Sequence, residues 1–419
     1  MAKQSSLLLL ILILTLTFGT LRVKGAGLRI LADDDIALAA RIQVIQRAKA
    51  DLNVAWFELK DDRVGQSLSQ ELCHAADRGV KVRLILDAMH DKMSMAQRHS
   101  LKQHGVNIKW YHPIGTGAAN LMRRMHDKYL AADQNQLILG SRNIGDVYFG
   151  QSIKKKNFID LDVQISGPFV AQTTDYFEAL WNSAQVDCQR TYKRRAKLLP
   201  NSTAPFAPVS DIVPRDTPAA RPQNVDSSQL LFAHDDRGVK DARTGIHRDI
   251  HDFLSNAEKS ILIVSPYFHP TPELVGILYS AQCRGVSVKV LTNSLESTNR
   301  PINHIALVSQ RDRRLNAIEI LEYNGERTLH AKGILVDGSR ACVTSYNCNR
   351  RSQFMDTELA LFVEDEEFCR NLQTYFSPFL EESSTLLPKK RNELLNHSSL
   401  PKIEVRKLQW FARLIPNHL

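Results

Sequence analysis

"RRMHDKYLAAD", from Arg123 to Asp133, places a histidine, a lysine two residues on, and an aspartate five beyond that. Side chains alternate along a strand, so His126 and Lys128 are expected on one face. An imidazole titrates near neutral pH and can act as nucleophile or proton carrier. A lysine ammonium is a point charge suited to phosphate. Alone, the stretch reads equally well as an edge strand with polar residues in water. The chain, however, repeats it. "RTLHAKGILVD", from Arg327 to Asp337, gives His330, Lys332 and Asp337 the same spacing. Each copy is followed by a Ser-x-Asn that begins eight residues past its aspartate: Ser141 and Asn143 in "LILGSRN", Ser345 and Asn347 in "ACVTSYN". Duplication of the whole set marks an internal repeat.

The repeat extends outward from the motif. "RAKADLNVAWFEL" (Arg47 to Leu59) parallels "NAEKSILIVSPYF" (Asn256 to Phe268), each a helix end followed by a β-branched or aromatic strand. "AADRGVKVRLILD" (Ala75 to Asp87) parallels "AQCRGVSVKVLTN" (Ala281 to Asn293), each a helix ended at glycine and then an alternating strand. The expected fold class is therefore α/β. Two pseudo-symmetric α-β-α domains are expected, at 26–190 and 229–386, each with a mixed and largely parallel sheet. Residues 191–228 read as a proline-rich linker, with six prolines between Lys197 and Ser228.

The 419 residues suffice for two or three domains; 43% hydrophobic and 24% charged residues are those of a globular chain. A net charge of +9 points to an acidic partner: phospholipid, nucleic acid or another phosphate ester. The apolar run from Leu7 to about Phe18 follows Lys3 and is short for a bilayer-spanning helix. Residues 1–25 are thus expected to be a signal peptide, with cleavage before Ala26, or a membrane anchor. In the tail, 387–419, Leu408, Phe411 and Ile415 share one helical face while Arg406 and Arg413 share another, with Trp410 beside them. This reads as a basic amphipathic helix on a membrane surface or docked on the core. The expected location is membrane-associated, on the periplasmic side of an inner membrane, or exported. Six cysteines form no CxxC pair, so no structural zinc site is expected.

If the halves pack about a pseudo-twofold axis, two histidines, two lysines and two Ser-x-Asn elements converge on one phosphodiester. Lys128 and Lys332 would balance its charge, and Asn143 and Asn347 would donate to its oxygens. One histidine would attack phosphorus while the other protonates the leaving oxygen. No metal or other cofactor is expected. Histidines need partners that fix their tautomers. Asp162 in "FIDLDVQISG" and Glu358 in "MDTELALFVED" are the candidates, with Asp160 and Asp356 as alternatives. Asp133 and Asp337 belong to the motif but close their strands, so they are expected to hold the turn. Ser141 and Ser345 either assist the phosphate or cap a helix.

The paired H-x-K-x4-D motifs resemble the phospholipase D superfamily. "RRMHDKYLAAD…LILGSRNIGDVYFG…FIDLDVQISGP", "WNS" (Trp181 to Ser183), "VSPYFHP" (Val264 to Pro270) and "VLTNSLESTNRPINHIAL" (Val290 to Leu307) are similar to bacterial cardiolipin synthases of the C-type branch and their close relatives. So is the "W-x-x-R-L-I-P" tail. The resemblance runs from about Leu28 to Leu386. It implies two superfamily domains with one active site at their interface, metal-independent phosphatidyl transfer from phospholipid substrates, membrane association, and His126 as the nucleophile. The sequence departs from the branch in three places. Thr344 replaces the glycine of the second Gly-Ser-x-Asn, Pro113 to Arg123 is shorter, and "NVAWFELKDD" lacks the usual tyrosine-rich strand. Two rival activities share the same residues: a phospholipase D that uses water, and an exported phosphodiesterase or nuclease. No basic groove interleaved with aromatics favours single-stranded nucleic acid.

Overall fold

The computed structural model describes residues 25–112, 122–187, 222–235, 245–309 and 312–386. The expected targeting segment (apart from Gly25), most of the linker, and the tail from 387 lie outside the described residues.

The first half runs β1 (Ala26–Leu31), α1 (Asp34–Arg47), β2 (Asp51–Trp56), α2 (Arg63–Asp77), β3 (Lys81–Asp87), α3 (Met95–Gln103), β4 (Asn107–Tyr111), β5 (Arg124–Met125), β6 (Lys128–Ala132), β7 (Gln136–Gly140), β8 (Phe158–Ile159), β9 (Asp162–Ser166), α4 (Thr174–Asn182) and β10 (Val186–Asp187). After β11 (Gln223–Val225) come β12 (Leu230–His234), α5 (Ile246–Ser255), β13 (Ser260–Val264), α6 (Pro272–Cys283), β14 (Ser287–Asn293), α7 (Pro301–Ser309), α8 (Arg313–Asn316) and β15 (Glu319–Tyr323). The second half continues with β16 (Thr328–Leu329), β17 (Gly333–Val336), β18 (Arg340–Thr344), α9 (Arg350–Phe354), β19 (Asp356–Thr357), β20 (Leu359–Val363), α10 (Glu366–Glu381) and β21 (Ser383–Thr385).

Local signals place the helices. Asp33 caps α1 by accepting from Ile36 N at 2.9 Å, and Asp62 caps α2 by accepting from Gly65 N at 3.1 Å. The chain leaves α2 and α6 through Gly79 and Gly285, both at positive φ, the left-handed exit that glycine takes without strain.

Among the described residues the strands form two large sheets, ordered β10-β4-β3-β2-β6-β7-β9-β1-β11 and β12-β20-β18-β17-β13-β14-β15-β21. The run from β4 to β1 matches the run from β15 to β12 pairing by pairing, so the internal repeat is a structural repeat. The sheets are mixed, as expected, but not largely parallel. Only β2·β3 and β3·β4, and β13·β14 and β14·β15, are parallel within them. Helical crossovers join those strands, whereas the motif strands turn straight back: β6 onto β7 and β17 onto β18, both antiparallel. One further boundary shifts. Gln223–Val225, inside the stretch read as linker, pairs with β1 at the edge of the first sheet.

The inner faces of the two sheets share one core. Tyr129, Leu137 and Val163 from the first meet Leu335, Val343 and Leu361 from the second, with Phe177 of α4 and Phe376 of α10. The outer faces carry separate cores, under α1 and α2 on one side and under α5 and α6 on the other. Among the described residues no helix is long and apolar enough to cross a membrane.

Each motif aspartate sits at the turn that follows its strand, in the left-handed region (φ 52° at Asp133, 57° at Asp337). The Asp133 carboxylate accepts from the amides of Lys49, Ala50 and Asp51 at 2.8 to 3.1 Å. Asp337 accepts from those of Glu258, Lys259 and Ser260 at 2.7 to 3.1 Å. Burial works against the Asp337 anion, but these amides and Arg340 outweigh it and hold its pKa at about 2. Asp337→Ala and Asp133→Ala are each expected to lower unfolding stability by about 2 kcal/mol in denaturant titrations, the scale of hydrogen bonds to a charged group. For Asp337 the sign follows from a depressed folded pKa. Its contribution is complete above the ordinary carboxylate range and is lost as pH falls towards about 2.

Candidate active site

The strand expected to carry both His126 and Lys128 is broken between them. β5 ends at Met125 and β6 begins at Lys128. The break lets β5 leave its own sheet and pair in parallel with β19 of the other half, Thr357 O accepting from His126 N at 3.1 Å. The second motif does the same. β16 pairs with β8 of the first half, and Ile159 O accepts from His330 N at 2.7 Å. Each histidine is therefore held by backbone from the opposite half.

The carboxylates are exchanged in the same way. His126 Nδ1 lies 2.9 Å from Glu358 Oε2, and His330 Nδ1 lies 2.7 Å from Asp160 Oδ1. All four groups are buried. With Nδ1 committed, each ring keeps Nε2 for chemistry. Lys128 Nζ donates to its own histidine's carbonyl, and Lys332 Nζ donates to that of His330 at 2.6 Å.

Both histidines open onto one cavity of about 550 Å³ between the halves. Asn143 and Asn347 line it, and their amide oxygens make no hydrogen bond within the protein. Phe57 meets His126 edge-on at 4.8 Å, and Phe158 stacks on His330 at 5.2 Å. Lys128 and Lys332 are not on the wall; they lie buried behind it, beneath the histidine carbonyls.

Burial governs the charge state. It holds His126 well below the ordinary imidazole range, helped by Lys128 and Lys332, and lowers His330 to about 4 although Asp160 opposes it. It lowers Lys128 to about 8 and Lys332 to about 7. The two carboxylates differ. Burial would raise Asp160, but His330, Arg142 and Lys332 outweigh it and hold the group below its ordinary value. At Glu358 burial prevails, Asp356 adds to it, and the pKa lies well above the ordinary one despite Lys128. Among the described residues no group of three or more His, Cys, Asp or Glu is placed to hold a metal ion.

A sequence profile described as "Cardiolipin synthase, PLD-like domain" matches residues 41–181 and 250–380, one match in each half. The chain belongs to this phospholipase D-like enzyme family. It is 27% identical to cardiolipin synthase C of Escherichia coli over 393 residues, covering 81% of this chain and 82% of that one. It is 25% identical to a cardiolipin synthase of Clostridium perfringens over 338 residues, covering 80% and 66%. Among solved structures, phosphatidylserine synthase of Haemophilus influenzae has the same fold. The TM-score is 0.70 at 16% identity, with 94% of this chain and 96% of that one covered.

Within this phospholipase D-like frame, several residues stand where the sequence did not place them. Asp162 touches neither histidine. It opens β9 opposite Gly140 and binds Arg41 at 2.8 Å and Arg142 at 3.0 Å, both buried. Asp160, the alternative, takes the place beside His330. Asp356, the other alternative, pairs with Arg351 at 2.9 Å. Ser141 and Ser345 do not line the cavity. Ser141 Oγ donates to Asp160 at 2.6 Å and Ser345 Oγ to Glu358, so each serine braces a carboxylate rather than binding phosphate or capping a helix. Asp133 and Asp337, named with the catalytic motif, lie at the turns already described. Arg142, the middle residue of the first Ser-x-Asn, was not singled out by the sequence. Its guanidinium is fully buried and reaches Asp34, Asp162 and the Asp160 carbonyl. A charged residue between two buried-strand signals was the available clue. His90, its Nδ1 3.0 Å from Asp87, also lines the cavity without having been foreseen.

Asp160→Asn should cut turnover about a hundredfold or more, since the orienting and charge-stabilising partner of His330 is lost. The carboxylate raises His330, so NMR titration of that ring should move to still lower pH in the variant. A rate loss with no such shift would count against this role. Asp162→Asn should act on stability instead, costing about 3 kcal/mol in unfolding, because it strands the buried Arg41 guanidinium and leaves Arg142 only Asp34 as a carboxylate partner.

Proposed function

We propose that the protein transfers a phosphatidyl group from one phospholipid to a second alcohol, in the manner of a cardiolipin synthase, through a phosphohistidine. The observation that carries this reading is the convergence of two histidines, each with a carboxylate from the opposite half, on one cavity lined by Asn143 and Asn347. His126 Nε2 attacks phosphorus, and the P–O bond to the leaving alcohol breaks as His330 delivers a proton to that oxygen. The incoming alcohol then gives its proton to His330, attacks phosphorus and frees His126. Lys128 and Lys332 offset the phosphate charge from behind, and Asn143 and Asn347 hold its oxygens. Asp133 and Asp337 hold the motif in place from outside the site.

The assignment of roles draws on the difference between the two carboxylates. Asp160 stays ionised, so a proton on His330 gains a full counter-ion, as an acid requires. Glu358 is the weaker counter-ion and suits a ring that attacks while neutral. Both rings are neutral in the free site. Burial above all keeps them so, helped by the lysines; an arriving phosphodiester anion opposes the lysine field, and the acid acquires its proton with the substrate. Association with a membrane follows from a phospholipid substrate and from the apolar and amphipathic ends of the chain.

The test is to supply mixed phospholipids with a labelled donor, identify the products by mass, and map the acid-labile, base-stable adduct in a quenched reaction. The adduct should accumulate on His126 in His330→Ala, and His126→Ala should form none. An adduct on His330 in the intact enzyme would reverse the roles. Free phosphatidic acid as the main product, with lipid alcohol abundant, would make the protein a hydrolase.

A further inference from the structure

The large hydrophobic side chains left exposed among the described residues are Met89, Met122, Ile153, Leu231 and Phe354. Single exposed apolar residues are ordinary on a soluble surface. Four of these five, however, lie on segments that adjoin residues of one opening. Met89 adjoins His90, which lines the cavity. The Met122 carbonyl accepts from Arg351 at 2.8 Å, and Arg351 lines it too. Phe354 lies two residues before Asp356, another lining residue.

Ile153 is the extreme case, at 97% exposure. It is followed by Lys154, Lys155 and Lys156, all exposed. The turn that carries it is fastened. Lys155 N donates to Ser152 Oγ at 3.1 Å, Ser152 N to Asn157 Oδ1 at 3.1 Å, and Asn157 Nδ2 to the Ser152 carbonyl at 3.2 Å. It is also tied to the mouth, because Lys156 Nζ donates to Glu296 O at 3.0 Å in the loop that leads to Asn299 and Arg300 of the cavity wall. A side chain this apolar, held in water by a bonded turn beside three cations and an active-site entrance, is arranged for a surface that offers hydrocarbon and negative charge together.

We infer that this rim docks on an anionic phospholipid bilayer, with Ile153 inserted at the level of the acyl chains and Lys154 and Lys155 against the headgroups. The inference rests on the transferase reading in that it brings the cavity mouth to its lipid substrates. It also gives the described body a membrane contact of its own, separate from either end of the chain.

The experiment uses the full chain carrying Ile153→Trp and vesicles of phosphatidylcholine with or without phosphatidylglycerol. In the anionic vesicles, emission of the variant minus that of the parent should shift to the blue and be quenched by brominated acyl chains. Lys154→Glu with Lys155→Glu on the same background should abolish the quenching. Ile153→Asp should slow turnover of vesicle-borne substrate about tenfold, the scale of one lost apolar contact, while turnover of a soluble phosphodiester is unchanged. Absence of vesicle binding, or binding without quenching at position 153, overturns the inference, as does equal slowing on soluble and vesicle-borne substrates. Failure of the transferase reading would look different: no histidine adduct in the parent, with the quenching at position 153 read independently of turnover.

Discussion

The two histidine–carboxylate pairs are made across the halves, not within them, and the rest of the molecule is arranged around that exchange. His126 belongs to the first half and Glu358 to the second; His330 belongs to the second and Asp160 to the first. The short parallel pairs β5·β19 and β16·β8 deliver each ring to its partner and close its backbone hydrogen bonds on the opposite half. Neither half alone can orient a histidine. The charges involved are buried, and burying them is unfavourable unless every one is paired and bonded. That requirement accounts for the bracing serines, for the lysines bonded to the histidine carbonyls, and for the large apolar core that fastens the two sheets directly behind the site.

The symmetry of the cage stops at the layer behind it. Gly140, Arg142 and Asp162 in the first half stand where Thr344, Tyr346 and Ala360 stand in the second. A Cβ at Gly140 would lie 2.5 Å from the Asp162 Cα, so only glycine lets β9 come close enough for Asp162 to meet Arg142. In the second half the Thr344 hydroxyl fills that space, donating to Leu359 O at 2.7 Å and accepting from Tyr346 N at 3.0 Å. One side thus has a buried ion-pair network behind its carboxylate, and the other has a tyrosine and a hydroxyl. The same ring chemistry then sits in two different fields, which is what distinct acid and nucleophile roles need.

Much of this was legible in the sequence because the repeat shows in residue types whose roles are local. The glycines that end α2 and α6, the alternating strands after them and the twin motifs all read directly. The turn-holding of Asp133 and Asp337 was also readable, since a carboxylate closing a strand has backbone amides to meet. What did not read was long-range pairing. Asp160 and Asp162 are two residues apart on one predicted face, and nothing local says which meets a histidine and which meets an arginine. That choice is made by β9, which begins at Asp162 and leaves Asp160 free to turn towards the other half. The break at His126 was hidden for the same reason, since its partner strand lies more than two hundred residues away. Sheet direction departs from the sequence expectation because helix–strand alternation does not extend to the motif strands, which turn back in tight hairpins.

The lysines behind the wall determine how the site meets a charged substrate. With Lys128 near 8 and Lys332 near 7, burial leaves their protonation open to change at physiological pH. A phosphodiester anion in the cavity would favour the charged form of both and raise His330, the acid of the proposed mechanism. Binding and proton uptake are then one event. Such a site is least charged when empty, which lowers the desolvation cost of keeping so many ionisable groups buried. It gains positive charge as phosphate binds. Water is disfavoured as the second nucleophile where the mouth is closed by a lipid surface rather than open to solvent. In the proposed mechanism, the choice between an alcohol and water as acceptor then turns on what covers the rim at Ile153 as well as on the histidines.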